Sequence, residues 1–177
     1  DKVAQGDYDA DGKTDVAVWR PAAGVWYVWR STDGGFTIQQ FGLAGDKPVP
    51  GDYDGDGRTD FGIFRPSNNV WYLLRSSAGF TATQFGIATD IPASADFDGD
   101  GKADIAVFRP SNGYWYQLLS GNGSFAAVHH GMMRDVPLPA DYDGDGKADI
   151  NVFRSTNGTW YRINSSTNSF YAIQYGI

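Results

Sequence analysis

The chain has no cysteine and no glutamate, and only two histidines and two methionines among its 177 residues. The lack of cysteine excludes disulfide staples and thiolate chemistry, and with them any reading of redox compartment. Lack of glutamate leaves acid–base work to aspartate alone, and no Ser-His-Asp phrase is present, so the chain reads as non-enzymatic. No Lys/Arg-rich tract offers a surface to nucleic acid. Nothing resembles a signal peptide or a segment for membrane insertion. Helical periodicity is missing from every 10-residue stretch.

Aspartate is what the chain does have. Sixteen of its twenty-one acidic residues lie in one phrase, Asp-x-Asp-x-Asp-Gly-x-x-Asp, written four times. The copies are Asp7-Asp9-Asp11-Asp15, Asp52-Asp54-Asp56-Asp60, Asp96-Asp98-Asp100-Asp104 and Asp141-Asp143-Asp145-Asp149. Carboxylates this dense repel one another unless a cation sits among them. Alternate side chains of a tight loop point inward, and the glycine permits the turn that returns the fourth aspartate. The predicted result is a cage of hard oxygens, completed by the backbone carbonyl of Lys13, Arg58, Lys102 or Lys147, which suits Ca²⁺. One ion per phrase gives about four, and would move the formal charge from −7 to about +1. Weak cages of this kind fill where free calcium is about millimolar, which places the chain outside the cell, secreted or at a cell surface.

The first cage aspartates fall at 7, 52, 96 and 141, spacings of 45, 44 and 45 residues. Asp1, Asp46, Asp90 and Asp135 each stand six residues ahead of a cage, so units run at about 1–45, 46–89, 90–134 and 135–177. Each unit reads as strands and turns. Short apolar runs follow the cages (Asp15–Arg20, Asp60–Arg65, Asp104–Arg109, Asp149–Arg154), apolar on both faces and therefore in need of cover on both. Asn/Gly-rich turns lead to strands carrying Trp26-Tyr27, Trp71-Tyr72, Trp115-Tyr116 and Trp160-Tyr161. A third strand begins at Phe36, Phe80, Phe125 and Phe170. Val49-Pro50, Ile91-Pro92 and Val136-Pro137 are assigned to a short fourth. Four antiparallel strands per unit predict an all-β array of propeller-type blades, in one repeat domain or part of a longer array.

With the aspartate cage and the closing Phe41-Gly42 and Phe85-Gly86 pairs, which drift to His130-Gly131 and Tyr175-Gly176, the whole chain resembles the FG-GAP/VCBS repeat family. That resemblance implies β-propeller blades, as in integrin α heads, lectins and secreted bacterial repeat proteins, with a structural Ca²⁺ in a loop of each blade. Propellers of that family usually have about seven blades, and this chain has four units. The cage is not an EF-hand, because Val18, Ile63, Val107 and Val152 stand where an EF-hand has its bidentate glutamate.

The expected function is binding or adhesion to a glycan or to a cell-surface or matrix protein. Trp26, Trp71, Trp115 and Trp160 are the candidate sugar-stacking residues, although aromatics at one register in every unit more often form a core layer. Arg20, Arg65, Arg109 and Arg154 are expected to pair with junction aspartates such as Asp46 or to stack on aromatics. The first and last units keep the apolar pattern, so their outer faces call for ring closure or a second chain. An alternative is therefore a structural subunit of an oligomer or filament assembled through its blades. A further one is a non-catalytic appendage of a secreted enzyme.

Overall fold

The β-branched and aromatic residues after each aspartate phrase favour a pleated, packed surface, and they form the centre of every sheet. A computed structural model describes residues 1–176; Ile177, the last residue of the fourth unit, lies outside them. The strands are β1 (Lys2–Val3), β2 (Val16–Arg20), β3 (Val25–Trp29), β4 (Phe36–Gln40), β5 (Lys47–Pro48), β6 (Phe61–Arg65), β7 (Val70–Arg75), β8 (Gly79–Gln84), β9 (Ile91–Pro92), β10 (Ile105–Arg109), β11 (Tyr114–Leu118), β12 (Phe125–His129), β13 (Val136–Pro137), β14 (Ile150–Arg154), β15 (Thr159–Ile163) and β16 (Phe170–Gln174). They make four antiparallel four-stranded sheets, each of four consecutive strands, here blades 1 to 4. No helix occurs among the described residues, so the chain is all-β with propeller-type blades.

One strand assignment needs correction. The short strand of blade 2 is Lys47–Pro48, not Val49-Pro50. Lys47 faces Phe64 in the register that Ile91 takes to Phe108 and Val136 to Phe153. Pro48 is the counterpart of Pro92 and Pro137, and the second proline two residues on obscured the alignment. Val49 instead donates its amide to the Gly62 carbonyl at 2.8 Å.

The turn after each central strand ends on Gly24, Asn69, Gly113 or Gly158, at φ of 64, 59, 72 and 62°. That is the left-handed region which glycine and asparagine tolerate best.

The chain forms two compact units, Asp1–Ala88 and Thr89–Ile177, each holding two blades. In the first, Ala4, Trp19, Trp26 and Ile63 make a buried cluster with Phe41, Phe61 and Tyr72 against it. The Phe61 ring meets the Trp26 edge at 5.4 Å and stacks on Tyr8 at 5.2 Å. In the second, Ala93, Phe108, Trp115, Ile150 and Val152 form the equivalent cluster. Thus within each unit the second blade lays aliphatic and aromatic side chains over the tryptophan of the first. The central strand of blade 3 is buried on both faces, as its apolar pattern requires: Ile105, Ala106, Val107 and Phe108 are all buried. Val16, at the matching register of blade 1, stays 65% exposed.

Candidate metal centres and the blade 4 cleft

Each aspartate phrase is an excursion closed at its base by one bridge: Gly6 to Asp15, Gly51 to Asp60, Ala95 to Asp104 and Ala140 to Asp149. Within the loop the first aspartate folds the chain around itself. Asp52 accepts the amides of Gly55 (2.6 Å) and Gly57 (2.8 Å), and Asp96 and Asp141 repeat this with their own glycine pairs. In the first cage Ala10 occupies the place of Gly55, Gly99 and Gly144, at φ 63°. The third aspartates accept the amides of Lys13, Arg58, Lys102 and Lys147 at 2.8–2.9 Å.

The fourth aspartates are buried, and each accepts two backbone amides. Asp60 Oδ2 takes that of Tyr53 (2.9 Å) and Oδ1 that of Ser76 (2.7 Å), and the other three cages repeat the pattern. Burial, opposed by these amides, raises the pKa of Asp60 and Asp104. The Gly146 and Gly144 amides lower that of the exposed Asp141.

A residue absent from the sequence reading closes each cage from outside. The turn of the second hairpin brings Ser31, Ser76, Ser120 and Ser165 over the loop, where their hydroxyls donate to Asp11, Asp56, Asp100 and Asp145 at 2.6–2.9 Å. Serine at one register of all four units was the available signal.

Carboxylate oxygens converge within 4.8 Å in all four loops: from Asp7, Asp9 and Asp15; from Asp52, Asp54 and Asp60; from Asp96, Asp98 and Asp104; and from Asp141, Asp143 and Asp145. Asp9 Oδ1, Asp54 Oδ1 and Asp143 Oδ1 are buried with no hydrogen-bond partner among the described residues. An orphaned carboxylate oxygen beside other carboxylates is costly unless a cation meets it. The donor set, hard oxygens alone, fits a divalent ion of the Ca²⁺ type.

The repeated arginines are structural, as expected. Arg65, Arg109 and Arg154 each bind both oxygens of Asp46, Asp90 and Asp135 at 2.8–2.9 Å, and Arg20 does the same to Asp1 at 2.9 and 3.0 Å. Each guanidinium also lies 4.3–4.8 Å from the centroid of Tyr27, Tyr72, Tyr116 or Tyr161.

The tryptophans divide. Trp26, Trp71 and Trp115 are 0% exposed. Their indole N–H groups donate to the carbonyls of Phe41, Phe85 and His130, the residues of the closing pairs. As ligand candidates these three are corrected: they are core, and the Phe-Gly pair is the acceptor that satisfies them. Trp160 alone lines an open cleft of about 280 Å³ with Tyr142, Asn151, Arg162, Tyr171 and Tyr175.

The same face carries two polar exceptions to the apolar pattern of the last unit, of which Asn151 is legible in the sequence. Asn151 stands where the other blades have Ala17, Gly62 and Ala106, and Arg162 where they have Val28, Leu73 and Gln117. Arg162 lies 5.4 Å from the Tyr142 ring and 5.2 Å from that of Tyr171.

A family model described as the FG-GAP-like repeat matches three times in overlap, over residues 7–63, 52–107 and 96–150. The chain belongs to the FG-GAP-like repeat family. The three matches each begin at the first aspartate of a cage and run into the strand that follows the next cage, so each spans two aspartate loops and the blade strands between them. No curated protein matches the chain. Among solved structures, this FG-GAP-like chain is similar to an Agrocybe aegerita lectin described as recognising non-reducing terminal N-acetylglucosamine. Identity is 18% and the TM-score 0.65, over 95% of this chain and 50% of that one. It is similar to a catalytically inactive virginiamycin B lyase from Staphylococcus aureus with quinupristin, at 10% identity and TM-score 0.61, over 98% and 56%. It is also similar to BBS1N in complex with ARL6DN, at 12% and 0.57, over 97% and 55%. The chain thus spans about half the length of these structures, and at such identities the likeness is one of fold.

Proposed function

We propose that this chain is a calcium-stabilised, extracellular FG-GAP-like repeat module that serves binding or adhesion and catalyses no reaction. The observation that carries the calcium reading is the orphaned inner oxygen of Asp9, Asp54 and Asp143 among converging carboxylates. The four aspartates of each phrase would hold the ion, with the carbonyl of Lys13, Arg58, Lys102 or Lys147 completing the shell. When bound, Ca²⁺ neutralises the loop charge and so favours the folded state. At free calcium a hundredfold above Kd, each site would add about 2.7 kcal/mol. The experiment is thermal melting in millimolar Ca²⁺ and in excess chelator. A sharp drop in Tm on chelation is expected; coincident curves would end the calcium reading.

The binding surface is the blade 4 cleft, where Trp160, Tyr142, Tyr171 and Tyr175 offer ring faces and Arg162 and Asn151 offer donors. Ring faces beside amide and guanidinium groups suit a glycan or a protein loop. A glycan-binding screen of the chain and of Trp160→Ala tests this, with loss of signal in the variant expected.

A second reading, a structural subunit, is favoured by one observation. Val16 of blade 1 is exposed, whereas Phe61 and Ile150 at the corresponding register of blades 2 and 4 pack on the tryptophan cluster of a preceding blade. Light scattering in millimolar Ca²⁺ separates the readings: defined multimers or fibres support assembly, and a monomer supports the receptor. The appendage of a secreted enzyme is compatible with a chain that spans half of its structural relatives.

A further inference from the structure

Three cages converge through their first, second and fourth aspartates. The fourth converges through Asp141, Asp143 and Asp145, without Asp149. What differs there is a cation. Arg162 points its Nε at Asp149 Oδ2 from 3.8 Å, and that Nε is buried with no hydrogen-bond partner among the described residues. At the corresponding register the other blades carry Val28, Leu73 and Gln117, all uncharged.

Other cations near cages differ in kind. Lys13 meets Asp11 at 3.3 Å but is 72% exposed, where water and salt screen it. Arg30 is held by both oxygens of Asp33, at 3.1 and 2.8 Å, and by Thr37. Arg30 feels Asp9 and Asp15 only at longer range, whereas Arg162 is the cation that, among the described residues, lies within 4 Å of a wholly buried cage carboxylate.

We propose that Arg162 is a resident cation that makes the fourth cage the weakest calcium site of the chain. The proposal rests on the calcium reading given above. A guanidinium beside Asp149 already neutralises part of the charge that would draw in Ca²⁺, and it repels the ion once bound. Even with water-like screening this weakens affinity on the order of tenfold. The consequence is a division of labour. Three cages stay filled, and the fourth fills and empties as free calcium varies. Its occupancy changes the charge felt by Arg162, which also lines the cleft with Tyr142 and Tyr171. Calcium level is thereby linked to the state of the blade 4 cleft.

The test is calorimetric titration of the chelator-stripped full chain with Ca²⁺, beside Arg162→Gln, Arg162→Leu and Asp143→Asn. Gln and Leu are the residues that blades 3 and 2 already accommodate at this register, so both variants are expected to fold, with far-ultraviolet circular dichroism as the check. Expected for the parent are three tighter ions and one weaker by about tenfold. Asp143→Asn should remove the weak step alone, and both Arg162 variants should bring the fourth ion in with the rest. Four equivalent sites in the parent, or a weak step unmoved by both Arg162 variants, would overturn the proposal while leaving calcium binding in place. No calcium heat at any site would instead remove the calcium reading, and this inference with it.

Discussion

Ser76 Oγ donates to Asp56 Oδ2 at 2.6 Å across twenty residues of sequence, tying the turn between β7 and β8 to the cage of the same blade. The Ser76 amide binds Asp60 at the same time, so one residue holds two of the four carboxylates. Removing the hydroxyl leaves the amide contact and takes away a hydrogen bond to a charged acceptor, worth about 1.5–3 kcal/mol. Ser76→Ala is therefore expected to lose about that much stability in chelator, read by urea unfolding. Unfolding midpoints equal within error would show that the turn is not part of the cage.

The pair between Arg109 and Asp90 is of a different order. Asp90 is 0% exposed, and both its oxygens are held by the guanidinium, which also lies over Tyr116. Truncation to Arg109→Ala strands a buried carboxylate and is expected to cost about 3–5 kcal/mol. Arg109→Lys keeps the charge but not the two-pronged geometry, so it should fall between parent and alanine variant. Equal stability of the lysine variant and the parent would assign the effect to charge alone.

Ala10 carries the cost of a left-handed backbone at a position the other cages give to glycine. Its φ of 63° compares with 78, 81 and 83° at Gly55, Gly99 and Gly144. A left-handed non-glycine residue costs roughly 1–2 kcal/mol, and glycine returns part of that as unfolded-state entropy. Ala10→Gly is thus expected to stabilise the chain by about 0.5–1 kcal/mol, a rare case of glycine raising Tm. A lower Tm would show that the loop relieves the strain elsewhere.

These three positions show what could be read from residues alone. The cages, the blades and the arginine pairs repeat in register, and repetition converts weak local signals into a fold. The Asp46–Arg65 pairing was legible because both residues recur with the unit. Ser31, Ser76, Ser120 and Ser165 recur equally but sit in turns rich in serine, asparagine and glycine, where serine is ordinary. The fates of Trp26 and Trp160 depend on whether another blade covers the face, which no single unit encodes. Lys47–Pro48 was missed because two prolines lie two residues apart and either could mark the strand. Arg162 has no counterpart in the other units, so repetition carries no signal for it and its meaning lies in being the exception.

His130 is a further exception, and it has a pH signature. It replaces Phe41 and Phe85 at the closing pair, is buried, and donates from Nε2 to the Tyr161 carbonyl at 2.9 Å. Burial lowers its pKa below the ordinary 6.5, against the opposing pull of that carbonyl and of Asp135. The folded state therefore keeps the ring neutral at a pH where the unfolded chain protonates it. Because the unfolded state binds more protons, stability rises with pH through this range. The contribution is complete above about pH 6.5 and is lost as pH falls from there toward the lower folded-state value. His130→Phe, which restores the residue of blades 1 and 2, should flatten the stability profile between about pH 7.5 and 5.5 relative to the parent. Carboxylate titration is common to both proteins and cancels in the difference. Parallel profiles would mean that the imidazole is hydrated in the folded chain, and that the Tyr161 contact opens without cost.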